Sequence, residues 1–408
     1  MKPIVRGRFS HSLQDDLSML LKSSFSNLEN SKQITEIEVA VANKIGRSNC
    51  VVFPLARTAL YFVLKSMDFK PGDRILMPAI TIKPILDVVL SLGLVPIFVD
   101  SDIDTACFEI ESLEENISKF APQACLVTYL FGVMPDIERI IAILRANDIF
   151  IIEDFSQAFN ASFNGKKAGS FGDVSIYSAS AVKTFDTYGG GFAFTDNSKL
   201  NTDLRHFQST LKRPSRIALI NKILNYFAKN LVTNKYVFAS GIFQVLHFLT
   251  SKGSEKFDRF VGRRSVSPIN ELPTAWFYSY TSVQAKKGLE LLSNVEANDR
   301  SRVSFAKDVV ANVTNLHFIS GQAEVNSIFW QLIVIPKDPK KLRKFLYSRG
   351  IDSAYTSLIE ISNLPQYGIE APTPNANRIH KNAVYIPCYA NLNSDERSHI
   401  IETLQSYA

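Results

Sequence analysis

The chain has 408 residues, 46% of them hydrophobic and 21% charged, with a formal net charge of +6. That balance excludes disordered and fibrous proteins and leaves room for two domains with sizeable cores. The opening segment MKPIVRGRFSHSLQDDLSMLL has no continuous apolar run of the kind a secretory signal needs, and no stretch reaches the ~20 apolar residues of a membrane-spanning helix, so a cytoplasmic protein is expected. Cys50, Cys107, Cys125 and Cys388 are scattered without metal-type spacing and read as buried, reduced thiols. The charge is uneven. Between Arg205 and Arg264 twelve Lys or Arg face two acids, Glu255 and Asp258, which gives +10 there and −4 for the rest. No recognition motif accompanies the charge, so nucleic acid is not an expected partner.

In chain order, residues 10–46 are expected to form two packing helices, the first with Leu13, Leu17, Leu20 and Leu21 at helical spacing and the second over about 35–45. Residues 49–54 read as a strand entering a turn, and 58–64 as the following helix. The start of that helix, Ala56-Arg57-Thr58-Ala59, either holds a phosphate on its unpaired N–H groups or is simply N-capped by Thr58. Strands are then expected at 74–77, 95–100, 124–128 and 150–152, alternating with helices over about 81–92, 112–120 and 136–147. This alternation predicts right-handed crossovers and a mostly parallel sheet with helices on both faces, whose ligands gather at the carboxyl ends of the strands. Residues 265–408 look like a smaller α+β domain: a long polar helix over 281–310, a strand pair at 317–319 and 327–335, and helices over 339–350 and 394–407.

The stretch IIEDFSQAFNASFNGKKAGSFGDVSIYSASAVKTFDTYGGGFAF, 151–194, organises this pattern. An apolar strand delivers Glu153 and Asp154 at its end, and Lys183 follows on a turn between a second strand, 174–178, and the run Gly189 to Gly191. A strand-end acid and a nearby turn lysine suit a cofactor that needs a ring-nitrogen partner and an amine for a Schiff base. Taken alone, the two also fit unrelated surface residues.

Together with ARTAL at 56–60, KPGDRILMPAITI at 70–82, GLVPIFVDSD at 93–102, GSFGDVSIYSASAVK at 169–183 and the GGG that follows, this stretch resembles the DegT or StrS group of sugar aminotransferases, fold-type-I pyridoxal phosphate enzymes. The resemblance implies an α/β fold with a large cofactor domain over 1–204, an added basic apolar segment over 205–264 and a small C-terminal α+β domain over 265–408. It implies pyridoxal 5'-phosphate as cofactor and a homodimer with shared active sites. Lys183 matches the Schiff-base lysine, which binds the cofactor and later carries a proton. Asp154 matches the carboxylate that pairs with the pyridine nitrogen and keeps the ring an electron sink. Gln157 matches the glutamine beside the ring oxygen and Ser178 the hydroxyl on the phosphate, with Thr58 and the Ala59 N–H completing the cup and Ser180 beside it.

Relatives with histidine at the lysine position are dehydratases, so Lys183 favours transamination, with L-glutamate as donor and a keto group of a nucleotide-linked sugar as acceptor. This sequence also departs from the family pattern. Arg57 replaces a glycine and either adds a cation to the phosphate or points away. Ile82 stands where an aromatic residue often stacks on the cofactor. Tyr188-Gly189-Gly190-Gly191 lacks the glutamate of Gly-Glu-Gly-Gly, and 277–285 lacks the Asn that reaches the neighbouring subunit's phosphate, with Arg263 or Arg264 as substitute candidates.

The segment after Gly191 is longer than in such relatives. Ile217, Ile220, Ile223, Leu224, Phe227 and Leu231 are expected to form one helical face, with Arg216, Lys222 and Lys229 elsewhere on the wheel, and 236–249 is nearly all apolar. Two readings stand: peripheral contact of 213–256 with an anionic membrane, or a helical pair packed on the protein or at the dimer interface. Two further functions remain open beside sugar transamination. One is transamination of a lipid-linked or non-sugar carbonyl at the membrane surface, and the other is a cofactor-binding regulatory module without turnover.

Overall fold

The computed structural model describes residues 2–251, 271–322, 325–364, 368 and 371–407. Arg263 and Arg264 lie outside the described residues. Helices α1 (Leu13–Phe25) and α2 (Ser31–Ile45) come first; Ser12 and Asp15 cap α1 reciprocally, and α2 ends at Gly46 in the left-handed region that glycine tolerates. The large sheet follows, with strands β1 (Asn49–Phe53), β2 (Arg74–Pro78), β3 (Val95–Val99), β4 (Ala124–Thr128), β5 (Phe150–Asp154), β6 (Val174–Ser178) and β7 (Gly191–Thr195). Their order across the sheet is β1-β7-β6-β5-β4-β2-β3. Only β7 runs antiparallel to its neighbours. Helices α3 (Ala56–Ser66), α4 (Lys83–Ser91), α5 (Ile110–Phe120) and α6 (Ile137–Ala146) make the crossovers. Two apolar cores flank the sheet, which explains why its inner strands are continuous apolar runs rather than alternating ones.

This topology brings the chemistry to one edge. Asp154 and Ser178 end parallel strands, α3 starts just past the end of β1, and antiparallel β7 begins with Gly191 opposite both Ser178 and Phe53.

After β7 come α7 (Ser198–Ser209), α8 (Arg216–Val232), a tight segment over Lys235–Val237 and Phe238–Ile242, and α9 (Phe243–Ser251). Here the structure corrects the expected faces. Helix α8 buries Leu219, Ile223 and Tyr226, while Ile217 is 73% exposed and Leu224 and Leu231 are also exposed. Helix α1 buries Asp16, Met19 and Ser23, leaving Leu17 and Leu21 51% and 64% exposed. The reason is polar. The Asn230 amide donates to Asp16 Oδ2 (3.0 Å) and to the His11 carbonyl (2.7 Å), and these bonds set the rotation of both helices against their apolar stripes. Phe238 and Phe243 pack with Val5 and Tyr347, so part of the apolar 236–249 run is internal packing.

The C-terminal part holds α10 (Ser282–Leu292), α11 (Val295–Asn312), β8 (His317–Ile319), β9 (Leu332–Ile335), α12 (Pro339–Ser348), β10 (Ala354–Tyr355), α13 (Pro374–Asn382), β11 (Val384–Ile386) and α14 (Ser394–Gln405). Its antiparallel sheet has the order β8-β9-β11-β10. The expected single polar helix is two, broken at Ser293-Asn294. The expected strand 327–335 is paired only from Leu332, because Ile328 and Phe329 donate to the Gly132 carbonyl (2.8 and 3.2 Å) and tie this stretch to the large domain. A Cβ at Gly132 would lie 2.5 Å from the Trp330 nitrogen, so the approach depends on glycine. Helix α13 and strand β11 were not foreseen.

Candidate active site

Successive strand residues point to opposite faces, and β5 therefore separates its two terminal carboxylates. Glu153 turns away from the site and accepts hydrogen bonds from the Tyr129 hydroxyl (2.6 Å) and the N–H groups of Gly169 (2.8 Å), Phe171 (2.6 Å) and Gly172 (2.6 Å). It anchors a loop. Asp154 faces the strand ends, buried, with Oδ1 accepting from the Ser156 N–H at 2.9 Å. Among the described residues no cation forms an ion pair with it. Burial raises its pKa, and hydrogen bonds from Ser156 and the charge of Lys183 work against that rise.

Lys183 follows Val182, a β-branched residue held at φ +63°. Such strain persists only where neighbours impose it. The Val182 N–H donates to Asp186 Oδ2 (3.1 Å), and its carbonyl accepts from Trp330 Nε1 (2.6 Å). Lys183 Nζ lies 3.9 Å from the centroid of the same indole, within cation–π range. The tie that shortened the strand before β9 thus delivers Trp330 to the lysine.

The serines are linked. Ser156 Oγ accepts from the Ser178 N–H (3.0 Å), and Ser178 Oγ lies 2.8 Å from Ser180 Oγ. Ser156 therefore links Asp154 to Ser178 and Ser180. Sequence reasoning passed over it, although its place two residues after the acid is where a short side chain bonds back to the backbone.

At the start of α3, Thr58 does not act as N-cap. That position is Leu55, and the Thr58 hydroxyl donates to the Trp276 carbonyl at 2.7 Å. The N–H groups of Thr58 and Ala59 both point to the Leu55 carbonyl (3.0 and 3.1 Å), so the Ala59 N–H is committed within the helix, and the unmatched donors of a helix start belong to its earliest positions. The Arg57 guanidinium stacks 4.6 Å over the Trp276 ring. Trp276 lies one residue before the stretch whose missing Asn had marked it as unusual. Gln157 Oε1 accepts from the Phe131 N–H at 2.7 Å, and Ile82 caps α4 and packs on the core. Among the described residues no hydrogen bond joins either of them to Asp154 or Lys183.

Beside Lys183 opens a cavity of about 170 Å³, bordered by Arg6, Arg8, Arg302, Trp330 and Tyr389. Arg6 pairs with Asp352 at 2.7 Å and Arg302 with Asp299 at 2.5 Å. Arg8 meets the Tyr389 ring at 5.9 Å and, among the described residues, no carboxylate.

A buried carboxylate with no ion pair among the described residues, influenced by a lysine and linked to two serines, fits a protonated heteroaromatic ring bearing an aldehyde and a phosphate. The profile of the DegT/DnrJ/EryC1/StrS aminotransferase family matches residues 11–222. The chain belongs to this family. It is 30% identical over 170 residues to the GDP-perosamine synthase of Escherichia coli O157:H7, covering 41% of this chain and 46% of that one. It is 31% identical over 170 residues to a UDP-N-acetyl-3-dehydro-alpha-D-glucosamine 3-aminotransferase of Acidithiobacillus ferrooxidans, with 41% and 46% covered. The match spans about half the length of these relatives. Among solved structures, a DegT DnrJ EryC1 StrS aminotransferase from Brucella abortus superposes with TM-score 0.74 at 20% identity, covering 96% and 94% of the two chains. Helicobacter pylori PseC, an aminotransferase of pseudaminic acid biosynthesis, superposes with TM-score 0.74 at 17% identity over 99% and 98%. At such identities the superpositions establish the fold, and they do so through the C-terminal domain.

Proposed function

We propose that this family member is a pyridoxal phosphate-dependent aminotransferase that moves an amino group, from L-glutamate, to a keto group of a nucleotide-linked sugar. The observation that carries the reading is Asp154, buried with no ion pair among the described residues, under the influence of Lys183 and joined through Ser156 to Ser178. The cofactor, when bound, supplies an aldehyde that condenses with amines and a ring that withdraws electrons from the carbon being deprotonated. Asp154 would hold a proton on the ring nitrogen, which its burial and missing partner suit it to do. Lys183 would hold the cofactor through its aldehyde carbon and, once released, carry a proton between the substrate carbon and that cofactor carbon, with the Trp330 face stabilising its ammonium form. Ser178 and Ser180 would bind the phosphate together with Arg57, and Thr58 would join them by turning its hydroxyl away from the Trp276 carbonyl. Gln157 would lie along the ring and Ile82 at its rim. Arg8 in the cavity beside Lys183 supports an anionic acceptor such as a sugar diphosphate.

The relatives named for GDP- and UDP-linked sugars support this acceptor class. Purified protein loaded with pyridoxal phosphate should be yellow, L-glutamate should bleach it, and Lys183→Ala should abolish the band. Colour that L-glutamate leaves untouched would sink the transamination reading in favour of a binding module or another donor. Screening keto-sugar nucleotides against lipid carbonyls for return of the colour identifies the acceptor.

The row Leu17, Leu21 and Phe25 on α1 is exposed, Phe25 to 86%, as is Ile217 on α8, and we assign this apolar surface to a second copy of the chain. Among the described residues no helix is long and apolar enough to cross a membrane. Sedimentation should give a dimer. A monomer that floats with anionic liposomes, and stops floating without residues 213–256, would instead give the surface to a membrane.

A further inference from the structure

The run after Lys183 holds a feature of this chain's own. Gly189 adopts φ +107°, and a Cβ built on it would stand 2.1 Å from Lys222 Nζ and 3.0 Å from its Cε. A residue of α8 therefore puts its ammonium in the side-chain space of position 189. The placement is anchored. Leu219, Ile223 and Tyr226, at i−3, i+1 and i+4 from Lys222, are the buried face of α8, and the Tyr226 hydroxyl donates to Asp186 Oδ1 at 3.2 Å, on the loop that carries Lys183. Among the described residues the Lys222 ammonium makes no hydrogen bond and no ion pair.

The same glycines abut the start of α3. Leu55 bridges Gly190, and a Cβ on Gly191 would lie 2.1 Å from the Leu55 carbonyl carbon and 2.2 Å from the Ala56 nitrogen. Gly191 also pairs across the sheet with Ser178. Arg57, in the first turn of α3, is close enough to act on Lys222: burial lowers the Lys222 pKa, Asp186 raises it and Arg57 lowers it further. The Lys222 ammonium, already drawn by Asp186, is thus carried by Gly189 and its neighbours towards the start of α3, where Arg57 supplies a second positive charge and a phosphate oxyanion would be attracted to both.

We propose that Lys222, reaching from α8 into the space above Gly189, is with Arg57 a cationic ligand for a phosphate group at the start of α3. The inference rests on the cofactor reading above and deepens it: the inserted helix closes the cofactor's phosphate pocket from within the same chain. The shared chemistry is a phosphate oxyanion, and its alternative source is the diphosphate of a nucleotide-linked substrate.

The test titrates the apo protein and its Lys222→Met variant, which keeps the apolar stem, with pyridoxal 5'-phosphate and with pyridoxal. The expected result is a roughly ten- to hundredfold weaker affinity for the phosphorylated ligand and none for pyridoxal, as for loss of one charge-assisted contact. Lys222→Arg should restore most of it, and Gly189→Ala, whose methyl displaces the ammonium, should mimic the loss. Affinity within twofold of the parent for pyridoxal phosphate in both Lys222→Met and Gly189→Ala overturns the proposal. If only nucleoside diphosphate affinity falls, the cation serves the substrate and the cofactor assignment is wrong. Thermal upshift by inorganic phosphate separates the two readings. A parent that ignores pyridoxal phosphate yet shows a Lys222-dependent phosphate upshift refutes the aminotransferase reading and keeps the anion site; no upshift together with no cofactor effect removes both.

Discussion

The adjacent carboxylates Glu153 and Asp154 should respond oppositely to the same isosteric change. In Glu153→Gln the amide keeps one oxygen for four donors. With that oxygen on the N–H groups of Phe171 and Gly172, the amide nitrogen faces the Tyr129 hydroxyl, which can rotate to accept, and the Gly169 N–H, which cannot. One buried N–H left unsatisfied costs about 1–3 kcal/mol. The surviving bonds also lose their charge, and Arg47, 3.5 Å from Glu153, loses a buried counter-charge while keeping Asp196 at 2.9 Å. The sum is a destabilisation of about 3 kcal/mol.

Asp154→Asn removes a carboxylate whose folded pKa is raised by burial. A raised acid pKa means that the folded state holds the proton more tightly than the unfolded one, so the ionised form weakens the fold as pH climbs through that folded pKa. Asparagine should therefore cost no stability at neutral pH, while pyridoxal phosphate binding falls. Urea unfolding of the apo proteins by circular dichroism, with a parallel absorbance titration, reads both. If Asp154→Asn unfolds as readily as Glu153→Gln, or Glu153→Gln matches the parent within about 0.5 kcal/mol, the assignment of opposite faces fails.

Further outcomes follow from the same geometry. All four cysteines are buried, and burial pushes Cys107 and Cys388 up to about 12, so a thiol reagent should find no reactive group in the native protein and four after denaturation. Burial would raise Asp15, but hydrogen bonds from Lys287 and Ser12 prevail and hold it at about 2, below its ordinary 3.8. That contribution is complete above the unfolded value and disappears as pH falls through about 2. Since Asp15 is about a third exposed, Asp15→Asn should cost less than ~1 kcal/mol at neutral pH, with the two stability curves converging in acid. Trp330→Phe keeps a ring under Lys183 but deletes the hydrogen bond to Val182, so glutamate bleaching should slow by roughly three- to tenfold, with cofactor affinity changed less.

The sheet was legible because a parallel strand covered on both faces must be a short apolar run, and 124–128 and 150–154 can be little else. Asp154 and Lys183 stood out as a strand-end acid and a turn lysine, whereas Ser178 drew notice only through the family resemblance. What escaped is contributed across long sequence separations. Trp276 and Trp330 reach the site from the far side of the insertion, and nothing local in either segment announces a partner at Arg57 or Lys183. The segment after β7 misled in a more instructive way. Its hydrophobic periodicity favoured the Ile217–Leu231 stripe and left Lys222 outside the buried face, but three polar residues, Tyr226, Asn230 and Asp16, decide how α8 docks. That rotation carries Lys222 to Gly189. The missing side chain at 189, which reads in the sequence as a family glutamate lost, becomes in the fold the space that Lys222 of α8 occupies.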